Sequence, residues 1–198
     1  MSLLQKTQHI ILAVFLVASS SVALADWELD DTASVINFVS IKNDSVAELH
    51  SFPSLTGFIG AAGNARLTVE LESVETLIDV RNERMREMLF ETVKFPVATI
   101  AAEVDPGVLA MAAEGGVVTV DLPVTLSLHG QEKALTASLV VVGEGEKRLR
   151  VFTATPLLLN AADFGLVEGV AALQKVAGLQ AISTAVPVTL QLQFVKVP

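Results

Sequence analysis

The sequence predicts an all-β, antiparallel fold, and three observations carry that prediction. Stretches of strict alternation recur: in residues 65–72, Leu67, Val69 and Leu71 point one way while Arg66, Thr68, Glu70 and Glu72 point the other. Turn-forming groups separate such stretches at regular intervals, among them Asn43-Asp44-Ser45, Asp105-Pro106-Gly107, His129-Gly130 and Gly143-Glu144-Gly145. The stretches themselves are rich in β-branched residues and phenylalanine. This spacing fits a sandwich or a barrel. A barrel leaves no open sheet edge, and one of about eight strands can enclose a small ligand.

Ahead of the strands, residues 1–25 have the layout of a secretory signal peptide. Lys6 lies in a short polar start, an apolar run covers residues 10–18, and small residues lead to Ala23-Leu24-Ala25. Cleavage is expected after Ala25, leaving one domain over residues 26–198. The apolar run is too short for a comfortable membrane span, and no cysteine follows it on which a lipoprotein anchor could form. The product is therefore expected in the periplasm without a stable membrane anchor. With no cysteine anywhere, the exported domain has no disulfides and must stand on its hydrophobic core. The net charge of −9, which becomes more negative without Lys6, argues against nucleic acid as a partner.

In chain order, residues 27–30 and 34–42 read as the first two strands. In the second, Ile36 and Phe38 share one face and Val35, Val39 and Ile41 the other, so both faces are expected to be covered. Residues 46–52 extend again, Pro53-Ser54 breaks the run, and residues 55–60 resume it. A loop over residues 60–64 leads into the alternating strand 65–72. Residues 81–91 then read as a helix, the exception in a β chain. Arg81, Met85, Met88 and Leu89 fall on one side of it, and Glu83, Arg84, Glu87 and Glu91 lie largely on the other. An isolated helix in this setting is expected to close the mouth of an apolar barrel, and methionine suits a wall that must fit an irregular ligand. Residues 97–104 form the next strand, with Ala98, Ile100, Ala102 and Val104 on one side, and residues 108–113 a short helix. Three long strands follow at 117–128, 133–142 and 148–159. Residues 169–179 read as a helix with Val170, Leu173, Val176 and Ala177 on one face. Residues 182–197 form the last strand, with Val188, Leu190, Leu192 and Phe194 inward.

Several of these segments resemble the YceI-like family of bacterial exported polyisoprenoid-binding proteins. They are Trp27-Glu28-Leu29-Asp30, Glu48-Leu49-His50-Ser51-Phe52 leading to Leu55-Thr56-Gly57, and Ser73-Val74-Glu75-Thr76 before Arg81-Asn82-Glu83-Arg84-Met85. Leu89-Phe90 running on to Lys94-Phe95-Pro96, and the late Asp163-Phe164-Gly165, complete the set. The resemblance covers nearly all of residues 26–198. It implies a lipocalin-like antiparallel β-barrel, closed by one or two short helices, that holds a polyprenyl phosphate or the tail of an isoprenoid quinone. No other cofactor is implied, and pairing of two chains is left open. The expected apolar wall is Phe38, Phe52, Phe58, Met85, Met88, Leu89, Phe95, Phe164 and Phe194. Arg81, on the helix face with Met85, is the candidate for a polar head group, and His50 is a further ligand-binding candidate.

Catalysis needs a positioned nucleophile, base or metal. The sequence has no cysteine, no G-x-S-x-G elbow, no phosphate-binding glycine loop and no zinc spacing, and no enzymatic activity is expected. Glu48 and His50 share one side of a strand, which leaves a hydrolase or isomerase as the less favoured alternative. A barrel filled by its own side chains, acting as a structural or interaction module, is the other.

Overall fold

The computed structural model describes residues 25–197; all of the expected signal peptide but its last residue, Ala25, lies outside them. Trp27 anchors β1 (Ala25–Leu29). The chain crosses a 3-10 turn, Asp31–Ala33, into a hairpin of β2 (Val35–Lys42) and β3 (Val46–Phe52). Pro53, which has no N–H to give a ladder, ends β3 before β4 (Leu55–Gly60). Then come β5 (Asn64–Glu70), β6 (Val97–Glu103), β7 (Val117–Leu128) and β8 (Gln131–Gly143). His129 and Gly130 both have positive φ, 52° and 75°, the geometry of a two-residue turn whose twist suits the β7–β8 hairpin.

The expected strand over residues 148–159 is two strands, β9 (Arg148–Thr153) and β10 (Leu157–Asn160). Ala154 donates the last bond to β8, at Ser138 O, 2.8 Å. Pro156 cannot donate and restricts Thr155, so the chain bends away there. β11 (Ala185–Lys196) closes the molecule.

β1, β4, β5, β6, β7, β8, β9 and β11 pair in that order, all antiparallel. β11 pairs back to β1, so the eight strands form a closed barrel. β11 is long enough to serve two neighbours on each side. Its C-terminal half lies between β1 and β9, its N-terminal half between β2 and β10. The wall thus extends past the ring. At one border of this extension, β3 is sealed by reciprocal backbone bonds between Ser51 and Glu75, both 2.9 Å. The other border has no such seal among the described residues. There β8 pairs with β7 alone from Gln131 to Ala137, and β10 pairs with β11 alone, which leaves a lengthwise slit in the backbone ladder; residues 161–164, just after β10, pack on β8 across it. Among the described residues one long ion pair also crosses it, Lys133 Nζ to Asp163 Oδ1 at 3.7 Å.

Helices close both ends. α1 (Asp79–Arg84) runs into a π-helical turn, Met85–Leu89, in which Phe90 N–H donates to Met85 O, 2.9 Å. The expected uniform α-helix over residues 81–91 is therefore corrected: one extra residue is accommodated in the turn, which carries Phe90 inward. α3 (Val167–Ala177) packs on this turn. Gly169 permits the approach, since a Cβ there would stand 2.6 Å from Met88 O. Val170 and Leu173 of α3 pack on the core, but Val176 and Ala177, expected on the same face, are exposed. α2 (Pro106–Ala113) forms the floor at the far end. Asp105 caps it by accepting from Gly107 N–H at 2.7 Å, and Leu109 and Ala112 are buried.

Candidate functional site

Alternation along the strands sends one side chain in two into the barrel, and most of those residues are aliphatic. They meet only partly across the interior. Two cavities remain between lid and floor, offering about 170 Å³ and 120 Å³ to the centre of a water-sized sphere. A water molecule needs roughly 10–15 Å³ on this measure, so each is many times larger than a packing defect. Neither is faced by polar surface. Ile100, Val124, Leu157 and Leu190 border both, so the two chambers lie end to end along the barrel with these four side chains forming a waist between them. The upper chamber lies beneath Leu89, Phe90, Phe164 and Val170 of the lid; the lower rests on Leu109 of the floor helix.

Of the residues singled out from the sequence, Phe38, Phe52, Leu89 and Phe164 line the upper chamber, and Phe58 and Phe194 the lower. His50, Arg81, Met85, Met88 and Phe95 lie off the cavity walls. Met85 is buried within the lid. Phe95 packs on His129, ring centroids 4.3 Å apart, outside the barrel interior. The wall also contains Phe90, which meets Phe52 edge-on at 5.6 Å. Much of the rest is aliphatic, including Leu71, Leu126, Leu128 and Leu159. Phe90 was missed because a regular helix would turn it away. The leucines were missed because inward alternation looks the same for a residue that touches a neighbour and one that faces a void.

Arg81 is engaged by protein groups. Its guanidinium donates to Glu48 Oε2 at 2.8 Å and to the Thr76 carbonyl. Lys42 reaches the other Glu48 oxygen at 2.9 Å. Lys42, and then Arg81, hold the Glu48 carboxyl below its ordinary range. Beside them, Asn82 is buried and accepts from the Thr76 N–H at 2.8 Å, and its own amide donates to Glu75 at 3.1 Å. These bonds tie α1 to the edge of β3, so the lid is fastened by hydrogen bonds as well as by packing.

His50, 3% exposed, lies against Phe38 and pairs through Nε2 with Ser40 Oγ at 2.7 Å; its Nδ1 has no partner among the described residues. Burial, and next the nearby Arg81 charge, lower its pKa to about 4. The suggested Glu48–His50 acid–base pair is not formed, because Glu48 is held by two cations. A Ser–His pair that generates a nucleophile needs a third group to orient the ring, and Nδ1 meets none. The histidine does leave a pH signature. Its folded-state pKa lies below the unfolded value, so its contribution is complete above about pH 6.5 and is lost as pH falls towards 4. Thermal melts across that window should therefore show a shallower acid-side loss of stability in His50→Gln than in wild type. Parallel curves would remove this role.

Comparison with known proteins follows the same line as the geometry. Residues 27–194 match the family model of the YceI-like domain. The chain belongs to the YceI-like family. A polyisoprenoid-binding domain from Saccharophagus degradans, described as implicated in plant cell wall breakdown, is 42% identical to this YceI-like protein. It superposes with a TM-score of 0.85 over 88% of this chain and 100% of its own. BcnA of Burkholderia cenocepacia is 17% identical, with a TM-score of 0.66 over 83% of this chain and 98% of its own. The YCEI protein of Campylobacter jejuni is 11% identical, TM-score 0.51, over 100% of this chain and 94% of its own. These two share the fold. No curated protein matches the chain.

Proposed function

We propose that this YceI-like protein is an exported lipid-binding protein of the periplasm. It holds a polyisoprenoid chain, of the polyprenyl phosphate or isoprenoid quinone type, for carriage, storage or an envelope stress response. The observation that carries the proposal is the pair of adjoining chambers, neither faced by polar surface. The 42% identical relative, itself named a polyisoprenoid-binding domain, supports it. The energetics favour a hydrocarbon guest. Burying a methylene contributes about 0.8 kcal/mol, so a five-carbon isoprene unit contributes roughly 4 kcal/mol on that scale, against about 1 kcal/mol net for a hydrogen bond. A few units held in the dry barrel outweigh any head-group contact. His50 lacks an orienting acid and the cavity wall lacks a nucleophile, so the role proposed is binding, without catalysis.

Organic extraction of the protein purified from its own cell envelope, followed by mass analysis, tests this directly. A prenyl lipid recovered in near-stoichiometric amount is expected. Empty extracts, together with no uptake of added polyprenol or quinone, would instead favour a structural barrel.

A further inference from the structure

The outer surface of the barrel extension differs from most of the rest of the wall, where β4 alone is also without charge. On β2 the outward positions are Val35, Asn37, Val39 and Ile41, and those of β3, β10 and the adjoining half of β11 are likewise all uncharged. By contrast, β5 carries Arg66 and Glu70 outward, β6 Glu103, β7 Asp121, β8 Glu132 and β9 Arg150. In a chain of net charge −9, a four-stranded face without charge is distinctive. Three large apolar side chains stand out from it or from its border, Leu49 (64% exposed), Leu158 (74%) and Leu77 (88%). Leu77 does so in a left-handed backbone conformation, φ 63°, which costs a non-glycine residue of the order of 1 kcal/mol. Val39 and Ile41, read from the sequence as covered, are only half-buried. The face also borders the slit: Leu158 is on β10, between the cavity-lining Leu157 and Leu159, while Leu135 lines the same chamber from β8.

We propose that this wall lies against the surface of a zwitterionic lipid bilayer, and that the slit between β8 and β10 is where a prenyl chain passes between bilayer and barrel. The proposal rests on the reading that the guest is a prenyl lipid, which resides in membranes. Charge selects the occupant. An acidic protein is repelled by anionic lipid, and no basic cluster on this wall offsets that. A face free of charge loses no ion hydration on contact with neutral headgroups and presents apolar side chains to the acyl boundary. Such contact should be insensitive to salt.

Flotation with phosphatidylcholine vesicles, and transfer of a fluorescent polyprenol from the protein to such vesicles, test it. Wild type should float in low and high salt alike. The double variant Leu49→Glu/Leu158→Glu should stay behind and transfer the probe at least about tenfold more slowly. Uptake of the probe from detergent solution should be unchanged in both. Ala47→Glu, exposed on the same face, provides a milder variant should the double one misfold, and Ala101→Glu, exposed on β6 across the barrel from β11, should behave as wild type. The proposal is overturned by a wild type that does not float, or by variants that transfer as fast as it does. It is equally overturned by a wild-type dimer that Leu49→Glu converts to monomer, which would assign the face to a second copy. Uptake from detergent reports on the guest alone, so its failure in every form counts against lipid binding while flotation still decides the face.

Discussion

Ile100→Trp is expected to lower the amount of prenyl lipid recovered with the protein at least tenfold while leaving the barrel folded. Ile100 borders both chambers, opposite Leu157 and Leu190, and an indole there would fill the waist. Inserting bulk into a packed core costs about 1–3 kcal/mol, but here part of the ring enters space that is already open. The penalty should fall at the low end of that range. The loss on the ligand side is larger. A chain confined to the upper chamber forfeits burial in the lower one, and each isoprene unit excluded removes roughly 4 kcal/mol of transfer energy on the methylene scale. Ligand content by extraction, with a thermal melt on the same sample, separates the two effects. Wild-type lipid content in a folded Ile100→Trp protein would show that the void is not where the guest resides.

Gly143→Ala is expected to produce the largest loss of stability from adding a single carbon. A Cβ at position 143 would stand 1.5 Å from the Ala112 carbonyl oxygen and 2.6 Å from its carbon. Both are backbone atoms, so no side chain can move aside. Gly143 N–H also donates to Gly116 O at 3.0 Å, which ties the end of β8 to the loop after α2. The floor helix must therefore shift or detach, exposing Leu109 and Ala112. A cost of about 3 kcal/mol or more follows from overpacking against an immovable neighbour. For a domain of this size that corresponds to a fall in Tm of about 6–12 °C. Gly115→Ala serves as the control. No heavy atom lies within 4 Å of its would-be Cβ, though its φ of +87° brings backbone strain of its own. Equal effects from the two substitutions would refute the steric account.

Much of the fold was legible. β3, β4 and β7 begin and end where expected because their boundaries are set by residues with local reasons to turn, such as Pro53 and His129-Gly130. The barrel itself was not readable from periodicity. Closure depends on β11 meeting β1, a pairing between the two ends of the domain, and alternation says only which side chains face inward. The split between β9 and β10 was visible in principle at Pro156, but a proline at a bulge or an edge leaves the same trace. At the site, large aromatics were the readable part of the wall. The π-helical turn left no signal, since helical spacing assumes 3.6 residues per turn, and Phe90 stayed hidden for that reason. Arg81 was placed on the correct helix, but its guanidinium finds Glu48, thirty-three residues away in sequence. A single helix face cannot reveal such a partner.

The waist between the chambers has a kinetic corollary. Two rooms in series with one doorway do not release a tenant gradually. A short chain housed above the constriction leaves in one step, whereas a longer one must first withdraw its tail through the gap ringed by Ile100, Val124, Leu157 and Leu190. Residence time should then climb as a staircase with the number of prenyl units, with its main riser at the length that first reaches the lower room.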